Sequence, residues 1–168
     1  PWHGLEAAFV FWNICLGLAF FFLARIQALL YFINNIDDNE IQKRSRKHLI
    51  IETVLFIIFF LTFLVHLLVA DGFAVNPDTG EIYMQAFKYF INLIEMPLVL
   101  VVLLLGVIGV LYGIIRTVLS QTWKKGIWFC GTGTVLTVLA LLLCAGWNNT
   151  AYYPCIAVLQ SSLTIQNI

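Results

Sequence analysis

The sequence predicts an all-α integral membrane protein with four transmembrane helices in a single helical domain. Of its 168 residues, 61% are hydrophobic and 11% are charged. Ordinary soluble domains are about one quarter charged, so this chain holds more apolar surface than a soluble fold of its size can bury. Four long apolar runs and an alternating distribution of basic residues support the same prediction.

The four apolar runs are each long enough to cross a bilayer, which takes about 20 helical residues. We place the spans at residues 5–33, 49–70, 92–115 and 126–146. Strands of membrane barrels are about ten residues long and alternate between apolar and polar side chains. These runs are longer and almost continuously apolar, so we predict helices.

The basic residues predict how the chain is oriented in the membrane. From the N-terminal edge to the C-terminal tail, the five segments outside the spans hold zero, four, one, three and zero Lys or Arg residues. Basic loops stay in the cytoplasm. We therefore expect loops 34–48 and 116–125 to be cytoplasmic, and both ends of the chain and loop 71–91 to lie outside. Nine basic residues balance nine acidic ones, so the charge does not indicate a nucleic-acid partner.

The two outer segments contain short local signals. In loop 71–91, "VNPDTGEIY" is typical of a turn, and "YMQAFKYFI" could form a short interfacial helix. After the fourth span, "GWNNTAYYP" supplies aromatic residues suited to the outer interface, and we expect Asn148 and Asn149 to cap the helix end. Asn148 also begins an N-glycosylation pattern, a weak signal at this length. A Cys144–Cys155 disulfide is an alternative to cysteines that pack as small apolar residues.

Four ionisable residues inside or at the edge of the spans are candidate sites, because a charge at the centre of a membrane helix costs about 2.5–3.5 kcal/mol. Arg25 and Glu52 lie at similar depth near the cytoplasmic side, and His66 and Glu95 lie at similar depth near the outer side. Each set is either a structural pair or a functional one. Arg25 could fix a partner or line a polar path, and His66 with Glu95 could be proton-linked.

Glycines in the third span predict close helix packing. Gly109 and Gly113 form a GxxxG pair, and Gly106 lies on roughly the same face. Small residues let another helix approach closely. The partner is either the fourth span, which carries its own glycines and threonines, or a helix of another subunit.

Motifs for catalysis or metal binding are absent from the sequence. It has no HExxH, GxSxG, Walker loop or CxxC, and His3 with Glu6 at the chain edge is too weak to define a site. His66 is the only histidine within a span, whereas a membrane cytochrome needs axial ligands on facing helices. We therefore predict no catalytic residue, no metal ligand and no cofactor ligand, with a single haem on His66 as an alternative.

Several stretches together resemble a known family. They are "GLAFFFLARIQALLYFINNIDD" with the following "IQKRSRKHL", then "VHLLVADGFAVNPDTGEIY", "LIEMPLVL" and "AGWNNTAYYP" with "LQSSLTIQN". Over nearly the whole chain this pattern resembles subunit II of cytochrome bd-type ubiquinol oxidases. It corresponds to the C-terminal half of an eight-to-nine-helix subunit without its last helix. The stretch "CIAVL" departs from the more polar sequence expected there.

The resemblance implies a haem-free subunit of a quinol:oxygen oxidoreductase of the aerobic respiratory chain, in the inner (plasma) membrane of a bacterium. It implies haems b and d in a partner, the haem-bearing subunit I, with this chain supporting assembly and oxygen or proton access. Membrane lipid, quinol and oxygen are the other expected partners, and a bound quinone is compatible with it. We expect a fragment that is incomplete at both ends and not catalytic alone. The alternative is a small polytopic transporter or channel with its polar residues around one aqueous cavity.

Overall fold

The computed structural model describes residues 8–151, which form five helices and three short strands. The chain is an integral membrane protein, because four of these helices are long and apolar enough to cross a bilayer. This confirms the prediction of four membrane-spanning helices. The elements in chain order are α1 (Phe11–Asn35), α2 (Asn39–Val69), β1 (Gly72–Val75), β2 (Ile82–Gln85), α3 (Lys88–Glu95), α4 (Pro97–Leu119), α5 (Gly126–Gly146) and β3 (Thr150–Ala151).

Helices α1 and α2 form an antiparallel pair joined by residues 36–38. Asp38 is the N-cap of α2, and its carboxylate accepts a hydrogen bond from the Ile41 backbone at 2.8 Å. This cap starts α2 ten residues earlier than the predicted span at residue 49. The earlier residues are polar and basic but contain no Gly or Pro, so the helix continues through them. Hydropathy therefore marked where α2 becomes apolar, not where it begins.

A proline separates α3 from α4. The predicted third span ran from residue 92 to 115, but residues 92–95 belong to α3 and α4 extends from Pro97 to Leu119. Pro97 occupies the first turn of α4, where its missing N–H costs nothing. Met96 between the two helices has the non-helical angles φ −113° and ψ 73°. The chain therefore changes direction here, and α3 lies outside the span.

A three-stranded antiparallel sheet, in the order β2-β1-β3, closes the end of the molecule reached by α2 and α5. Phe73 pairs with both Met84 of β2 and Ala151 of β3. The predicted turn in "VNPDTGEIY" connects β1 to β2, with Gly80 at a φ of 70°. Part of "YMQAFKYFI", which was predicted as an interfacial helix, belongs to strand β2. The helix there, α3, covers only Lys88–Glu95. We call this end of the molecule the sheet end.

Helices α4 and α5 form a second antiparallel pair, with their backbones in close contact. A Cβ atom built on Gly106 would lie 2.7 Å from the Thr137 nitrogen, and one on Gly133 would lie 2.5 Å from the Gly106 carbonyl oxygen. Real Cβ atoms do not approach backbone this closely, so both positions require glycine. A Cβ atom on Gly113 would lie 2.7 Å from the Gly126 carbonyl oxygen, and one on Gly109 would lie 3.3 Å from Gly133 Cα, so both glycines also face α5. Of the two partners considered for these glycines, the structure supplies the helix within the same chain.

The two helix pairs share one apolar core. Its central residues are buried, and each of the four spanning helices contributes at least one of them. A second, smaller core packs α3 against α4 and α5 near the sheet end. The central core consists of Ala19, Ile26, Leu30, Ile33, Leu49, Phe56, Val110, Ile114 and Cys130.

Replacing Gly106 by leucine should separate α4 from α5. The new side chain would meet backbone atoms that cannot move aside, so we expect a loss of about 3 kcal/mol or more in the free energy of unfolding. Unfolding can be followed by circular dichroism during denaturation in detergent micelles.

Gly17→Leu is the matched control, because nothing lies within 4 Å of a Cβ atom built there. We expect this variant to unfold as the wild type does or at slightly harsher conditions, since glycine is a poor helix former. Equal losses for both variants would contradict the close α4–α5 contact.

Candidate functional site

An apolar cleft lies between the two helix pairs and has a volume of about 210 Å³. All four spanning helices line it, including Leu23 of α1, Phe56 of α2, Val110 of α4 and Leu141 of α5. Among its lining residues only Thr134 and Thr137 are polar. Their hydroxyls donate to backbone carbonyl oxygens one turn earlier in α5, at 2.8 and 2.9 Å. The cleft therefore presents a hydrocarbon surface and suits a small or elongated apolar molecule.

Arg25 and Glu52 form an ion pair between α1 and α2. Arg25 Nε donates to Glu52 Oε1 at 2.7 Å, and Nη2 lies 2.5 Å from the same oxygen. The glutamate side chain is 6% exposed and that of arginine is 48% exposed. Glu52 Oε2 is buried and has no hydrogen-bond partner among the described residues. The pair thus places a fixed guanidinium on the surface of α1.

A second polar contact crosses from α1 to α5 near this ion pair. Gln27 Nε2 donates to Thr134 Oγ1 at 2.9 Å. Gln27 was not among the predicted site residues, although a lone amide in an apolar run is a signal for such a bond. Arg25, Gln27, Glu52 and Thr134 together form a polar layer beside the cleft.

His66 and Glu95, the second candidate pair, make separate contacts in the described part of the chain. The His66 ring stacks on Trp12 of α1, with 3.9 Å between centroids and 7° between planes. Glu95 accepts a hydrogen bond from the Asn148 amide. The reason is the break at Met96, which puts Glu95 on α3 and outside the span. The transporter alternative requires these polar residues around one aqueous cavity, and the apolar cleft does not provide it.

Arg46, which in the sequence indicated only the orientation of the chain, connects the two helix pairs. It belongs to α2 but is buried against the C-terminal end of α4. Its guanidinium donates to the backbone carbonyl oxygens of Ser120 at 3.0 Å and Gln121 at 2.9 Å, and also to those of Thr117 and Trp123. These carbonyls have no partner within a helix that ends at Leu119, so Arg46 caps α4 from the neighbouring pair.

An ion pair lies at the same end of the molecule, which we call the basic end. Lys124, just before α5, pairs with Asp37 in the connection between α1 and α2. The hydrogen bond and charge of Lys124 hold the pKa of Asp37 below its ordinary value. Asp37 is exposed, so this pair contributes little to stability. It nevertheless adds a second contact between the two helix pairs at the basic end.

Asn92 organises the sheet end. It is fully buried, and its amide donates at 2.9 Å to both the Cys144 carbonyl and the Thr150 hydroxyl. Asn92 of α3 therefore satisfies a carbonyl in the last turn of α5. Asn148 and Asn149 were the residues predicted to cap this helix end, but the Asn148 amide donates to Asn92 Oδ1 and Glu95 Oε2 instead. Asn148 and Asn149 have positive φ angles, of 58° and 53° respectively.

Lys88 adds a buried cation to the sheet end. Its ammonium group donates to the Asn148 carbonyl at 2.8 Å, and the residue is 3% exposed. Burial lowers the pKa of Lys88, and the negative charge of Glu95 partly opposes this shift. Lys88 and Asn92 lie about one turn apart on α3 and are both buried, beside Leu93, which packs into the smaller apolar core.

Residues that commonly bind metals are dispersed in the described part of the chain. Across residues 8–151, no group of three or more His, Cys, Asp or Glu side chains is placed to hold a metal ion. The described partner of His66 is Trp12, not a histidine or methionine that would complete an axial ligand pair. Cys15, Cys130 and Cys144 are buried thiols. Cys155, the second member of the alternative Cys144–Cys155 disulfide, lies outside the described residues, as do His3 and Glu6.

Comparison with known proteins identifies one family. A family model described as cytochrome bd terminal oxidase subunit II matches residues 3–168, which is nearly the whole chain. Searches of curated proteins and of solved structures found no match.

Substituting Arg46 by methionine should destabilise the protein. Methionine keeps the apolar stem but leaves the carbonyl oxygens at the end of α4 without a donor. Hydrogen bonds to a charged group contribute roughly 1.5–3 kcal/mol each, and one buried orphan group costs about 1–3 kcal/mol. We therefore expect a loss of about 3 kcal/mol in the free energy of unfolding, measured by denaturation in detergent micelles.

Arg44→Met provides the control, because Arg44 lies two residues away on the exposed side of α2. Its loss should change the free energy of unfolding by no more than about 0.5 kcal/mol. If the two variants unfold alike, Arg46 is not the cap of α4 in solution.

Proposed function

Since the chain belongs to the cytochrome bd terminal oxidase subunit II family, we propose that it is a haem-free subunit that supports assembly of the oxidase. In this role it also provides oxygen and proton access for the haem-bearing subunit I. Family membership makes the chain part of a respiratory oxidase. The finer division of labour, with haems b and d in the partner and no catalytic residue here, is our proposal. The family match is the observation that carries it.

The use of the polar residues supports a structural role within the oxidase. Arg46, Asn92 and Lys88 each donate at least one hydrogen bond to a backbone carbonyl of this chain. Polar groups inside a membrane that serve chemistry usually face a cavity or a path. These three instead close the ends of the helix bundle, as expected for a subunit whose main task is to hold its shape against a partner.

The apolar cleft supports the proposed access for oxygen. Molecular oxygen is apolar and concentrates in hydrocarbon, and the cleft offers about 210 Å³ lined by apolar side chains. A quinone tail or a lipid chain is also apolar enough to enter it. Protons need a polar route, and the layer formed by Arg25, Gln27, Glu52 and Thr134 is the part of this chain that suits one.

Oxygen affinity of the purified oxidase tests this function. Affinity purification through a tag on this chain should recover the assembled complex, which is detected by the haem absorbance of subunit I. Val107, which lines the cleft, is then replaced by tryptophan. We expect a several-fold higher KM for oxygen with the haem content unchanged, because the new ring fills the space through which oxygen passes.

Val101→Trp is the control on the same helix, because Val101 is half exposed and does not line the cleft. It should leave the KM for oxygen unchanged. Recovery of this chain without haem would refute the subunit assignment. Recovery with haem but an unaltered KM in Val107→Trp would refute only the oxygen route.

The orientation of the chain is part of the proposal. The exposed residues Lys43, Arg44 and Lys47 near the start of α2 support a cytoplasmic position for the basic end, because basic segments tend to stay in the cytoplasm. The sheet end then lies outside.

Cysteine labelling tests the orientation. A membrane-impermeant maleimide applied to intact cells should label Asp78→Cys in the β1–β2 turn but not Lys43→Cys at the basic end, after subtraction of wild-type labelling. In permeabilised cells, both Asp78→Cys and Lys43→Cys should be labelled. Labelling of Lys43→Cys alone in intact cells would invert the assignment.

A further inference from the structure

A groove runs along α4 and α5 on the side away from the apolar cleft, and its volume is about 350 Å³. On α4 it is lined by Leu105 and Gly109. The cleft is lined on the same helix by Val107 and Leu111. Residues two positions apart point to nearly opposite sides of a helix, because one turn takes 3.6 residues. This α4–α5 groove therefore opens away from the α1–α2 pair.

Two cations lie at the basic end of the α4–α5 groove. Steps of four, three and four residues put a row of side chains on one face of α4. The row consists of Leu105, Gly109, Tyr112 and Arg116. Arg116 is in the last turn of α4 and Lys125 immediately precedes α5, so both lie at the ends of helices long enough to span the membrane. Both residues are exposed, and within residues 8–151 neither makes a side-chain hydrogen bond or an ion pair.

Aromatic rings lie between these cations and the apolar part of the groove. The Tyr112 ring contacts those of Trp123 and Phe129, with centroids 5.9 and 5.0 Å apart. Trp128, which lines the groove, is 70% exposed. Tyrosine and tryptophan are enriched at the level of the lipid headgroups. From the basic end inward the surface thus changes from cationic to aromatic to hydrocarbon, in the order in which a phospholipid changes from phosphate to glycerol to acyl chain.

The size and position of the groove favour a lipid over a segment of protein. Two turns of helix about 10 Å across occupy roughly 800 Å³, more than twice the volume of the groove. The exposed side chains of Leu105 and Trp128 also keep a helix backbone away from it. The described residues end at 8 and 151, both near the sheet end. The cations lie at the opposite end of α5, which has 21 residues and is therefore about 30 Å long.

We propose that the α4–α5 groove binds an anionic phospholipid, with the phosphate at Arg116 and Lys125 and an acyl chain over Gly109. Basic pockets between membrane helices attract anionic headgroups, and the acyl chain gains van der Waals contact along the groove. The positive group of a zwitterionic headgroup offsets this attraction, so the site prefers the anionic lipid. The site is formed by α4 and α5 alone and does not depend on the division of labour between subunits proposed above.

Photo-crosslinking in nanodiscs of defined composition tests this site. The oxidase is purified through a tag on this chain and placed in equal parts of phosphatidylglycerol and phosphatidylcholine. A photo-crosslinking amino acid at Leu136, which lines the groove, reports what occupies it. The same amino acid at Ile58, which is exposed on α2, samples the surface elsewhere. We expect phosphatidylglycerol adducts to outnumber phosphatidylcholine adducts by about tenfold or more at Leu136, since each cation adds about fivefold, and lipid adducts at Ile58 to follow the bilayer ratio.

The double variant Arg116→Gln with Lys125→Gln should bring the adduct ratio at Leu136 close to one. Lys43→Gln with Arg44→Gln removes the same charge from exposed residues of α2 at the same end and should leave the ratio unchanged.

Thr132→Trp fills the groove and keeps both cations. It should reduce all lipid adducts at Leu136 several-fold, whereas Leu142→Trp at an exposed position outside the groove should not. An adduct of Leu136 with protein, a ratio near one in the wild type, or a ratio that survives the loss of Arg116 and Lys125 would overturn the proposal. Lipid adducts undiminished by Thr132→Trp would overturn it as well.

Discussion

The structure depends on one constraint, which is that backbone carbonyls at helix ends must find donors although the helices lie in a membrane. Arg46 meets this constraint at the basic end by capping α4 from α2, and Asn92 meets it at the sheet end by binding the Cys144 carbonyl from α3. In both cases the donor comes from a different element than the carbonyl. Satisfying the backbone therefore also fastens elements together: Arg46 joins the two helix pairs at the basic end, and Asn92 joins α3 to α5 at the sheet end.

Between these two fastened ends the interior is divided into tight and open regions. Within the second pair, glycines bring α4 and α5 into backbone contact, as at Gly106 and Gly133. Between the pairs, larger side chains such as Phe56 and Leu23 meet less closely and leave the apolar cleft. Helix packing in lipid depends on close van der Waals contact rather than on exclusion of water. A cleft that persists there can remain apolar and accessible to molecules dissolved in the membrane.

Features that depend on composition could be predicted from the sequence, whereas features that depend on tertiary contacts could not. The four spans, the turn at Gly80 and the family follow from long apolar runs and local motifs, and the structure and the family match agree with them. The β-strands and the cap by Asn92 could not be read from the sequence, because a strand of two to four residues gives no periodic signal. Arg46 was seen only as a charge, although its neighbours Lys43, Arg44 and Lys47 are exposed and it is buried. Its partners lie about 70 residues away, and no local pattern indicates them. Glu95 was misplaced because the break at Met96 was not recognised.

The central claim is that Arg46 holds the α1–α2 pair against the α4–α5 pair. Double electron–electron resonance tests it most directly, with one spin label at Ile58 on α2 and a second at Leu142 on α5, both exposed positions. The account predicts a single narrow distance distribution in the wild type and a broad or displaced one in Arg46→Met, with Arg44→Met unchanged. A distribution in Arg46→Met that is as narrow as the wild type and at the same distance would contradict it.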